Sequence, residues 1–115
     1  MREVESKENL IWLKDYYAPL LTLHQQDVLD MYLDGDYTLT EIAESCGSSR
    51  QAVYDLVKRT EKLLVGYESK LGLLGRFRTA RKKAEAAESM VRQMPCDETQ
   101  KQQIFQALDE MLAVL

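Results

Sequence analysis

The stretch Leu39–Lys58, LTEIAESCGSSRQAVYDLVK, decides how this chain is read. Leu39, Ile42, Ala43 and Cys46 recur at helical spacing and supply one face of a short helix, and Gly47 ends it. Ser49 is the best N-cap for a second helix, because its side-chain oxygen can accept from the amides of the first turn. In that second helix Val53 and Leu56 turn inward, while Arg50, Gln51, Tyr54 and Lys58 point away from the core. Two helices meeting at a tight turn need a small residue where they cross and a residue tolerant of positive φ in the turn. They also need apolar residues at a fixed offset in the second helix. Ala43, Gly47, Val53 and Leu56 meet those demands in order, which is the pattern of a helix-turn-helix.

Arginine and glutamine at the start of such a second helix can make bidentate contacts with guanine and adenine edges, and lysine suits phosphate. Arg50, Gln51, Tyr54 and Lys58 are therefore the candidate nucleic-acid contacts of this segment. The same helix pair also fits a purely structural corner with those residues as its solvated face. Ser48 stands where an apolar residue usually packs between the helices, and Asp55 points outward, where it would repel phosphate.

Outward from this segment the chain reads as helices throughout, so the fold class is all-α. No β-branched residues alternate with polar ones over strand length. Leu10, Leu13 and Tyr17 form a stripe on a first helix over about residues 8–18, which Pro19 terminates. Thr22 and Gln25 have capping-box spacing before a second helix over about 23–33 that buries Val28, Leu29 and Tyr32 and stops at the Asp34-Gly35-Asp36 turn. Thr38 and Glu41 repeat the box at the head of the third helix. Val53, Leu56, Thr60, Leu63 and Tyr67 carry the fourth helix to about residue 70, where Gly72 and Gly75 invite a stop.

Leu73, Phe77, Ala80, Ala84, Ala87, Val91 and Met94 then hold a narrow seam like that of a coiled coil. Pro95 ends this fifth helix. Asp97 with Gln100 opens a sixth over about 98–115, striped by Ile104, Leu108, Met111 and Leu115, and the short link predicts an antiparallel hairpin. Residues 1–72 thus read as a four-helix unit containing the helix-turn-helix, and residues 73–115 as a helical tail expected to pack with it as one body. The alanine-rich seam and the apolar ending MLAVL predict a homodimer through the C-terminal helices, with packing of the sixth helix onto the first unit as the alternative.

The 115 residues, 45% apolar and 30% charged, are enough for a real core. Cys46 and Cys96 lack metal or redox spacing and read as reduced thiols, and neither a signal peptide nor a membrane span is recognisable, so a cytoplasmic location is expected. The net charge of −4 argues against nucleic-acid binding by bulk charge. It is unevenly spread, from −5 over residues 1–37 to +4 over 67–95. Arg76, Arg78, Arg81, Lys82 and Lys83 crowd together there, and a polyanion would meet them first. No catalytic site, metal site or cofactor motif presents itself. The single His24 lies in the first turn of the second helix without ligand partners, so no enzyme is expected.

Residues 15–74, from DYYAPLLTLHQQ through LTEIAE and SRQAVYDLVKR to KLLVGYESKLGLL, closely resemble the YlxM family. These are small bacterial helix-turn-helix proteins similar to the promoter-reading C-terminal region of sigma factors. The resemblance implies a regulatory DNA-binding protein encoded beside the signal recognition particle GTPases, taking part in that targeting pathway or regulating it. It also admits an accessory protein in which the helix-turn-helix is a scaffold and the basic run at 76–83 meets the particle's RNA or its GTPase.

Overall fold

Two helices of the N-terminal half begin where a threonine turns its side chain back onto the first turn. The Gln25 amide donates to Thr22 Oγ1 at 3.1 Å and the Thr22 amide to Gln25 Oε1 at 2.9 Å. Thr38 and Glu41 repeat this exchange at 3.1 and 2.8 Å. Each box satisfies two amides that a helix start leaves without a partner, so the sequence fixes these starts locally. The computed structural model describes residues 7–115, which form α1 (Lys7–Tyr17), one turn of 3-10 helix (Ala18–Leu20), α2 (Leu23–Asp34), α3 (Leu39–Cys46), α4 (Arg50–Leu71), α5 (Leu73–Arg92) and α6 (Glu98–Ala113). Among these residues there is no strand, and the fold is all-α. None of their helices is long and apolar enough to cross a membrane.

By its contacts the chain divides into two compact units, Met1–Leu71 and Gly72–Leu115. In the first, α4 is the common partner, packing against α1, α2 and α3, while α2 also touches α1 and α3. Leu10, Leu13 and Tyr17 of α1 meet Val28, Leu29 and Leu33 of α2, Ile42 and Ala43 of α3, and Val53, Val57, Thr60 and Leu64 of α4 in the core. The α4 stripe is turned from the expected one. Leu56 is half-buried and Leu63 exposed, and Val57 and Leu64 take their places. Both sets obey helical spacing, and three packed neighbours, not periodicity, choose between them. Leu33 likewise replaces Tyr32, which is half-buried with the Lys7 ammonium 5.1 Å from its ring centre.

Polar groups tie this unit together without being stranded. The Tyr17 hydroxyl donates to Glu68 at 2.5 Å, joining α1 to the far end of α4. Lys14 of α1 pairs with Asp30 of α2. The Gln26 side-chain amide donates to the carbonyls of Ala18 and Leu21 at 2.9 and 3.1 Å, securing the turn that Pro19 forces. The buried Thr60 hydroxyl donates to the Leu56 carbonyl at 2.8 Å.

The second unit is the α5–α6 hairpin. Ala84 and Val91 are buried on α5, as the seam predicts, with Ala80 and Ala87 half-buried beside them, but the ends of the seam, Leu73 and Met94, are exposed, and at the helix start Leu74 is buried in place of Leu73. Asp97 caps α6 by accepting from the Gln100 amide at 2.8 Å. On α6 the inward face is Lys101, Phe105, Leu108 and Leu112, all half-buried, whereas Ile104, Met111 and Leu115 of the expected stripe are exposed. The Arg92 guanidinium lies 5.0 Å from the Phe105 ring centre, and the Lys101 ammonium donates to the Arg92 carbonyl at 3.1 Å. These two contacts close the turn end of the hairpin and help rotate α6 away from the expected register.

Candidate nucleic-acid interface

The turn between α3 and α4 depends on the backbone of one residue. Gly47 is left-handed, at φ 69° and ψ 31°, and the amides of Gly47 and Ser48 both return to the Ala43 carbonyl, closing α3. Ser49 Oγ then accepts from the Ala52 amide at 3.0 Å and opens α4. A Cβ at Gly47 would meet nothing within 4 Å, so the cost of a side chain there is backbone strain alone. Gly47→Val is expected to destabilise the first unit by about 1–2 kcal/mol in urea denaturation, and an unchanged midpoint would place the turn elsewhere. Gly66, inside α4 and also open around its Cβ, is the contrasting case. Gly66→Ala is expected to stabilise by about 0.5–1 kcal/mol in the same measurement, because it adds helix propensity without strain.

This turn sets the register of the α4 start. Arg50, Gln51 and Tyr54 are exposed and, with Leu39, line one shallow depression. No described residue pairs with the Arg50 guanidinium. Gln51 Nε2 donates to Asp55 Oδ1 at 3.0 Å, one turn along. Lys58 is less free than its spacing implies. It is half-buried, pairs with Glu61 at 3.5 Å and sits 5.5 Å from the Tyr54 ring centre. Burial works to lower the Lys58 pKa, but the Glu61 carboxylate and the Tyr54 phenol outweigh it, so the ammonium stands above its ordinary range. It is a fixed positive charge at any physiological pH.

The structure thus brings Arg50, Gln51, Tyr54 and Lys58 together along the first turns of α4. It also supplies a residue that the sequence reading passes over. Lys62 is exposed one turn beyond Lys58 on the same face, and the spacing Gln51, Tyr54, Lys58, Lys62 was the available signal.

Arg76, Arg78, Arg81, Lys82 and Lys83 lie on α5, in the other unit, and all are exposed. At about 100° per residue they wind around every side of α5 except the one that carries Ala84, so adjacency in sequence does not make a single-sided patch. Arg81 pairs with Glu85 at 3.4 Å, and two pairs share a face, Arg78 with Lys82 one turn apart and Arg76 with Lys83 two turns apart. His24 is exposed, both cysteines are free thiols, and no group of three His, Cys, Asp or Glu able to hold a metal occurs among the described residues.

Two short-linked helices closed by a left-handed glycine, with a second helix whose first turns are polar and open, define a helix-turn-helix protein. The chain belongs to the UPF0122 family, whose sequence profile, described as "Putative helix-turn-helix protein, YlxM / p13 like", matches residues 4–111. A UPF0122 protein of Limosilactobacillus reuteri is 44% identical over 91 residues, covering 79% of this chain and 80% of that one. One from Lactococcus lactis subsp. cremoris is 39% identical over 110 residues, covering 94% and 96%. One from Streptococcus agalactiae is 51% identical over 69 residues, covering 60% and 63%.

Proposed function

We propose that this chain is a regulatory protein that presents the start of α4 to the major groove of duplex DNA, and that it takes part in or regulates the signal recognition particle pathway. The observation that carries the DNA reading is the shared depression of Arg50, Gln51 and Tyr54 at the head of a helix whose register the Gly47 turn fixes. Arg50 reads a guanine edge or a phosphate, Gln51 reads adenine once its amide leaves Asp55, and Lys58 and Lys62 follow the backbone. Two copies act together in this reading, offering two recognition helices related by a two-fold axis to a pair of half-sites.

A second reading, an accessory protein that meets the particle's RNA or its GTPase, is favoured by the net charge of −4 and by Asp55 beside Gln51 on the candidate face. Titration of a labelled duplex pool and of the particle RNA at one fixed salt concentration separates the two. The first reading expects a subset of duplexes to bind well above the RNA, with affinity falling as salt rises. Binding of the RNA with no duplex retained overturns it in favour of the second.

A further inference from the structure

The α5–α6 hairpin buries one face of α5, half-buries one face of α6 and leaves a second apolar stripe uncovered. On α5 this stripe is Ala86 and Met90, with Met94 just beyond the helix end, and toward the start of α5 the same line continues with Lys83 and Thr79; on α6 it is Ile104, Ala107 and Met111, all of these residues being exposed. Met90 is 67% exposed, Met94 49%, Ile104 38% and Met111 45%. At about 100° per residue the α5 stripe lies roughly 120° around its axis from the face holding Ala84 and Val91. In the same rotational sense, the α6 stripe lies roughly 90° from the face holding Phe105, Leu108 and Leu112. Because the helices run antiparallel, equal senses about the two axes bring both stripes to one side of the hairpin. The other side of α6 is polar, carrying Glu98, Thr99, Gln102, Gln103 and Gln106.

We propose that this one-sided face pairs with the same face of a second copy, so that two hairpins form an antiparallel four-helix bundle. The proposal rests on the two-copy part of the reading above and names the surface that performs it. Area is the first support. The 16 residues of α6 span about 24 Å, and two helices packed about 10 Å apart present a face about 20 Å wide. That is about 500 Å² per copy and about 1,000 Å² for the pair, which reaches the lower bound of a specific interface.

Charge is the second support and sets the direction. The open end of the hairpin is net positive, since the basic run at 76–83 outnumbers its neighbouring acids, and the turn end is net negative, with Glu88, Asp97 and Glu98 against Arg92 and Lys101. A two-fold axis that lays the hairpins head to tail sets each positive end beside the partner's negative one, whereas the parallel alternative stacks like charges.

Sedimentation equilibrium of the full chain at tens of micromolar, compared with two double variants, tests this. The wild type is expected at twice the chain's mass, with a melting temperature that rises with protein concentration. Ile104→Glu with Met111→Glu, on the proposed face, is expected to weaken association by at least about a hundredfold with far-UV helicity retained, because unpaired carboxylates enter the interface. Gln102→Glu with Gln106→Glu, on the polar side, is expected to leave association unchanged. Should the first variant lose helicity, the exposed Met90→Lys substitution gives the same test from α5. A wild type that stays monomeric, with no dependence of melting on concentration, overturns the pairing. A dimer that survives both face variants overturns this surface and leaves the two-copy reading standing. Nucleic-acid binding is scored separately, with Arg50→Ala and Gln51→Ala, which must leave the dimer intact.

Discussion

A chain carrying Arg50→Ala and Gln51→Ala together is expected to keep its helices and to lose affinity for its preferred duplex by about 1–3 kcal/mol for each base contact removed. Both side chains are exposed at the start of α4, and alanine is the strongest helix former, so the fold has little to lose. Among the described residues, the one interaction that disappears is the exposed Gln51–Asp55 hydrogen bond. A pair of that kind is worth only about 0.2–0.5 kcal/mol. Its removal also leaves the Asp55 carboxylate uncovered on the binding face, which opposes phosphate and adds to the loss. Fluorescence anisotropy against the selected duplex, with circular dichroism as the control, measures both parts. Full-strength binding by this variant would mean that another surface meets the nucleic acid.

The largest expected effect on stability is that of Ile42→Ala. Ile42 is 0% exposed and sits in α3, a helix of eight residues. A helix that short has negligible stability of its own and is held by packing, so deleting buried methyls there removes what holds it. Large-to-small changes of this kind cost about 2–5 kcal/mol. That is a large share of the total stability of a small domain. Urea denaturation is the measurement, and the candidate interface should weaken with it, because α3 and the turn position Arg50. Leu63→Ala is the matched control. It lies next to the fully buried Leu64 but is itself 38% exposed, and its cost should stay below about 1 kcal/mol. Equal losses at Ile42 and Leu63 would contradict the observed register of α4.

That register also marks where reading from sequence stops. The starts of α2, α3 and α6 are legible because Thr22, Thr38 and Asp97 act on amides only a few residues away, and the close of α3 is legible because Gly47 is needed for its φ. The buried face of α4 is not legible in the same way. Val53, Leu56, Val57, Leu63 and Leu64 offer two neighbouring stripes of equal periodicity, and only packing against α1, α2 and α3 selects one. On α6 the same ambiguity is resolved toward Phe105 and Leu112, where the Arg92–Phe105 contact adds what Ile104 and Met111 lack.

The candidate face shows a parallel division. The outward direction of Arg50, Gln51 and Tyr54 follows from spacing. The attachment of Gln51 to Asp55 and of Lys58 to Glu61 is a choice among side-chain rotamers that spacing permits without deciding. The basic run at 76–83 is spread around α5 for a geometric reason: five charges within eight residues cannot share one side of a helix that turns by about 100° at each step.

The hydrogen bond from Tyr17 to Glu68 joins residues 51 positions apart. During synthesis α1 leaves the ribosome long before the end of α4, which completes its surroundings. At about 5–20 residues per second the delay is roughly 3–10 seconds, far longer than a small helical unit needs to fold once its chain is complete. The stripe of Leu10, Leu13 and Tyr17 therefore waits on translation with only α2 and α3 to shelter it. The pace at which α4 is delivered, and not the search for the native arrangement, sets when the helix-turn-helix first becomes rigid on a nascent chain.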